Sequence, residues 1–143
     1  MSMPSLLPPA IHPILVHFPI VLLPAAAILA TFRNRLPWAA QATPLALVVA
    51  AVGALAAMVF GILEHEPWEE LLNGTPQQPW LDNHKILGVA TATVTTLLAF
   101  AAWRSRTNLF AGRRGSTWTL ALWAATALVA LTAWYGGALV HET

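Results

Sequence analysis

Four apolar stretches without a charged residue, 14–32, 44–63, 86–103 and 116–140, divide the chain, and short polar segments join them. Each is close to or above the roughly 20 residues that a helix needs to cross a bilayer. None alternates apolar and polar positions as a barrel strand would. Backbone in lipid must satisfy its own hydrogen bonds, so the pattern predicts helices. The expected fold is an all-α membrane protein, a four-transmembrane-helix up-and-down bundle, with residues 1–143 forming one domain.

Within this frame the punctuation is informative. Pro13 suits a first helical turn, whereas Pro19 and Pro24 fall inside the first span. They deprive the carbonyls of Leu15 and Ile20 of their usual partners and predict a kink. The second span stops at Pro67. Segment 68–81 is long for a bundle connection and is expected to lie along the interface as a short amphipathic turn, with Asp82 as N-cap of the third span. Residues 1–13 carry no Lys or Arg and the apolar run that follows is too long for a signal peptide, so the first span is expected to be retained.

Charge changes the picture by its placement. Only 9% of residues are charged against 57% hydrophobic, a balance that belongs in a bilayer rather than in water. Threading the chain through four spans puts all six arginines (Arg33, Arg35, Arg104, Arg106, Arg113 and Arg114) at one face. All five histidines and all six acids fall at the other. The positive-inside rule then puts the arginines in the cytoplasm and both termini outside. This corresponds to a multi-pass protein of a bacterial inner membrane with periplasmic termini. Trp38, Trp103 and Trp118 at the arginine end, with Trp68, Trp80 and Trp134 near the histidine end, read as interfacial anchors.

Topology explains the arginines but not the gathered imidazoles. Cysteine is absent, which excludes covalent c-type haem, iron–sulfur ligation, thiolate copper and disulfides. No nucleophilic triad, phosphate loop or basic patch for nucleic acid is present. His17 lies about 6 Å past the start of the first helix, inside the span, where ionisable groups mark function; the bland reading is an imidazole bonded to a carbonyl loosened by proline. His12 reads as interfacial and His65, between Glu64 and Glu66, as solvated. Gly61, Gly88 and Gly137 lie one turn deeper than His65, His84 and His141. They read most simply as close helix contacts; alternatively they floor a pocket for a flat cofactor. Thr91 and Thr95 continue the face below His84 and Gly88.

Imidazole ligates haem iron as well as iron, zinc or copper ions. His17, His84 and His141 come from three helices, and a pair of them would hold haem b over Gly88 and Gly137. Lys85 is the one lysine or arginine at that face to meet its propionates. His17, Glu64, His84 and His141 together would suit a non-haem transition metal ion. Three functions follow: a haem- or metal-binding subunit associated with electron transfer, a metal or proton permease, or a structural subunit without a cofactor. A stand-alone enzyme is the least favoured.

HPILVHFP opening the first span, Gly61 with Glu64 three residues on, His84 opening the third and GGALV closing the fourth resemble one bacterial family, the predicted membrane proteins of domain of unknown function 2231 (DUF2231). The resemblance covers essentially the whole chain. It implies four membrane helices, histidines at 12, 17 and 84, an acid at 64, and glycines at 136 and 137. Relatives usually have Tyr where this chain has His141. Fusion of some relatives to Rieske-type iron–sulfur domains implies a Rieske-type or cytochrome redox partner in the periplasm or membrane. Besides the lipid bilayer, a second copy in a homo-oligomer is the other expected partner.

Reporter fusions after Arg35 and after Thr143 should report opposite sides of the membrane, with the second outside. Two cytoplasmic signals would break the threading and the histidine face built on it.

Overall fold

The computed structural model describes residues 11–64 and 66–141, with side chains described as far as Leu139. Among these residues the chain is helical, without strands. Its elements are α1 (His12–Leu15), α2 (His17–Thr31), α3 (Ala39–Glu64), α4 (Glu66–Leu72), α5 (Gln78–Arg104) and α6 (Arg113–His141). Four segments are long and apolar enough to cross a membrane: His12–Thr31, Ala39–Glu64, Gln78–Arg104 and Arg113–Leu139. α2 packs on α3 and α6, and α5 completes the ring by packing on the same two helices.

The helices overrun the apolar stretches that predict them. α5 begins at Gln78 rather than near 86, because Pro79 pre-sets its first turn. Asp82 therefore lies inside the helix and does not cap it. The connection turns instead at Gly74, whose φ of 75° is left-handed. There the Thr75 hydroxyl donates to the Leu72 carbonyl and the Gly74 N–H to the Gln78 side chain. α3 starts at Ala39, ahead of Pro44, and the Thr43 hydroxyl donates to the Ala39 carbonyl. The segment after Pro67 is helical in its first part, as α4.

The first span is interrupted at Val16. Pro19 has no N–H to offer the Leu15 carbonyl, so the ladder loses a rung beside the break. α1 leans on α3, whereas α2 is shared between α3 and α6.

The core is solid in the arginine half only. Leu23, Ala26, Ala27 and Ala30 of α2 meet Leu47 and Ala51 of α3, Ala99 and Ala102 of α5, and Leu122, Ala125 and Val129 of α6. In lipid the drive for helix association is close packing, which alanine permits. Arg33 fastens this end: its guanidinium donates to the Ala30 carbonyl (2.8 Å) and to the Thr119 hydroxyl (3.1 Å). Trp123 Nε1 donates to Thr31 Oγ1 across the same helix pair. A smaller cluster of Leu72, Leu81 and Leu139 lies at the opposite end.

Two glycines test this division. A Cβ on Gly53 would lie 2.4 Å from the Cβ of Phe18, an atom that no side-chain rotation moves. A Cβ on Gly88 would meet nothing within 4 Å. Gly53→Ala should lose about 1–3 kcal/mol to overpacking, while Gly88→Ala should be neutral or gain up to about 1 kcal/mol from helix propensity. Thermal midpoints in one detergent check the contrast, which equal midpoints would refute.

Candidate ligand pocket

Between the two clusters the helices border a half-open cavity of about 530 Å³. All four spans contribute to its wall, which is mostly apolar: Val16, Ile20, Ala54, Ala57, Met58 and Val129 are typical. The polar groups are few. His12, Glu64, His84 and Lys85 reach it near the end away from the arginines, and Thr91 and Thr132 deeper down.

His12 and His84 are built alike. His12 Nδ1–H donates to the Ala57 carbonyl of α3 at 2.6 Å. His84 Nδ1–H donates to the Thr132 carbonyl of α6 at 3.0 Å. A carbonyl only accepts, so each Nδ1 carries the proton. Among the described residues neither Nε2 has a hydrogen-bond partner. The rings stand edge to face, with centroids 6.0 Å apart and planes at 88°. A backbone carbonyl on Nδ1 fixes the orientation of each ring and of its second nitrogen.

Two glycines make room for the rings. A Cβ on Gly61 would lie 2.9 Å from His12 Nδ1, and one on Gly136 would lie 2.8 Å from His84 Cε1. Gly61 thus makes room for His12. Gly88 and Gly137 line the cavity with nothing within 4 Å of either Cβ position, so they border open space and not a close helix contact. Below them the Thr91 and Thr132 hydroxyls join at 2.9 Å. Thr132 donates onward to the Leu128 carbonyl, which makes Thr91 the donor between the two. Glu64 accepts the Ile11 N–H at 3.0 Å and so holds the start of α1 over the cavity. Lys85 pairs with Glu69 of α4.

His17 is elsewhere. It is exposed, does not line the cavity, and bonds the Pro13 carbonyl through Nδ1 at 2.6 Å. Five residues on a helix turn through about 140° beyond a full circle, so His12 and His17 cannot share a face. His12, expected at the interface, is the residue that faces inward. The sequence carried a signal for this: His12, Val16, Pro19, Leu23, Ala26 and Ala30 form one stripe at steps of four and three, and the last four are buried. His84, Glu64, Gly88 and Gly137 line the same cavity. His65 lies outside the described residues, as does the side chain of His141, the last residue of α6. Among the described residues no group of three or more His, Asp or Glu is placed to hold a metal ion.

The whole arrangement falls within one family match, to the predicted membrane proteins of DUF2231 over residues 8–143. The chain belongs to the DUF2231 family. No curated protein and no solved structure matches it. The pocket of this DUF2231 protein therefore has to be read from its own chemistry.

In ¹⁵N-histidine-labelled protein, His12 and His84 should both show a protonated Nδ1. Gly61→Ala should shift the His12 signals and Gly136→Ala those of His84, each leaving the other nearly unchanged. Protons on Nε2 of both rings would contradict the bonding described.

Proposed function

We propose that this protein is an inner-membrane subunit with both termini outside, and that it binds haem b in the four-helix cavity, where His12 and His84 would hold the iron. The observation that carries the reading is the pair of oriented imidazoles, each with a free Nε2, on an apolar cavity. A non-haem site usually draws three or more protein ligands. A tetrapyrrole brings four nitrogens of its own and asks the protein for two, which is the number these helices supply.

The cradle fits as well. Gly88 and Gly137 leave the space beside the imidazoles that a flat, apolar macrocycle would fill. When bound, haem would supply one-electron exchange. The chain's own residues would bind it, fix the imidazole orientation through Ala57 and Thr132, and exclude water with the apolar wall. An electron-transfer partner would then approach from the outer end, where the cavity lies.

Purified protein should show a haem spectrum that sharpens on dithionite reduction, with close to one haem per chain. His12→Ala and His84→Ala should each lose most of it, whereas His17→Ala should retain it. Iron, zinc and copper measured on the same samples separate haem from a bare metal ion. Unaltered haem in His84→Ala, or wild-type protein with no chromophore, would overturn the reading.

A further inference from the structure

The outer rim of the cavity carries chemistry that the imidazole pair does not use. Lys85 follows His84 in the chain, lines the same cavity, and is the only lysine or arginine outside the six arginines of the opposite end. Its ammonium pairs with Glu69 on α4, and the two side chains are 38% and 46% exposed. An ion pair this exposed is weak, because water screens it and two long side chains must be held still. Exchanging Glu69 for another carboxylate therefore costs little. Trp68, also of α4, lines the rim beside this pair. The cavity thus has an apolar body and, at its mouth, one cation, Lys85, and one carboxylate, Glu64, whose Oε1 already accepts the Ile11 N–H; Lys85 is the group there that can receive the acidic edge of an apolar ligand.

We propose that Lys85 is the anion-recognition residue of this pocket, exchanging Glu69 for a carboxylate at the edge of the bound ligand. The inference rests on the haem reading and deepens it: the carboxylates are those of the tetrapyrrole, aimed outward past α4. Glu69 acts as a placeholder. It holds the Lys85 ammonium from the side of α4, and the ligand's carboxylate takes its place. The orientation of the ligand follows, since only one edge of the cavity offers a cation. His12 and His84 then set the depth of the macrocycle, and Lys85 sets its rotation.

The test compares ferric haem with its dimethyl ester, which keeps the iron and the ring but has no carboxylate. Both are titrated into the full-length protein in one detergent and followed by the absorbance of the bound form. Wild-type protein should bind ferric haem about tenfold more tightly than the ester, the scale of one charge-assisted hydrogen bond. Lys85→Met should abolish that preference by weakening haem and leaving the ester unchanged. Glu69→Gln should strengthen haem a few-fold, since the competing carboxylate is gone. Both positions are partly exposed, so the fold should tolerate these changes, and unaltered ester binding verifies that it does. Equal affinity for the two ligands in wild type, or an undiminished preference in Lys85→Met, would overturn the role of Lys85 while leaving the imidazole pair intact. If neither ligand binds wild-type protein, the haem reading itself falls and this inference falls with it.

Discussion

Close contact between alanines in the arginine half is the constraint on which the rest of the bundle depends. Lipid offers helices no hydrophobic reason to associate, so their contact must come from packing. Ala26, Ala27 and Ala30 against Ala51, Ala99, Ala102 and Ala125 bring four backbones together there. The Arg33–Ala30–Thr119 bonds then fasten one corner. Toward the other end the stripes change character. Alanine gives way to His12, Gly61, Glu64, His84, Gly88 and Gly136, and the helices surround a cavity instead of filling it. The site is an interruption of the core that the core itself makes possible.

Within that opening the histidines act as braces as well as candidate ligands. The Ala57 and Thr132 carbonyls each accept an imidazole proton from a neighbouring helix. One bond ties α1 to α3 and the other ties α5 to α6. A buried polar group in lipid is costly unless it is paired, so these bonds also account for how the imidazoles are tolerated at membrane depth. The residues that would bind a cofactor are thus the ones that hold the empty cavity in shape. Removing either should disturb the local bundle as well as the ligand.

The break at Val16 joins these two features. A straight first helix would keep α1 in line with α2; Pro13 and Pro19 let it lean on α3 instead, with Glu64 holding the Ile11 N–H. The same break gives His17 its partner, since its ring reaches the Pro13 carbonyl. Proline here redistributes carbonyls, and the histidines on either side of the break take up different ones. His12 goes inward and His17 outward.

Hydropathy and charge by themselves determined the four spans. They also set the gathering of Glu64, His84 and Lys85 at the end opposite Arg33, because these depend only on local composition and on the length of a bilayer. The family was legible in HPILVHFP and GGALV for the same reason, being written in consecutive residues. Helix ends were read less well: α5 starts at Gln78 since Pro79 and the Gly74 turn outweigh the hydropathy of 78–85. Which histidine looks inward was decided only by tertiary structure. The small-residue stripe ending in Ala26 and Ala30 pointed to His12, yet depth in the span favoured His17. Spacing also could not tell Gly61, pressed against an imidazole, from Gly88, which faces open space. Both are helical glycines one turn from a histidine, and they differ only in what the neighbouring helix presents to them.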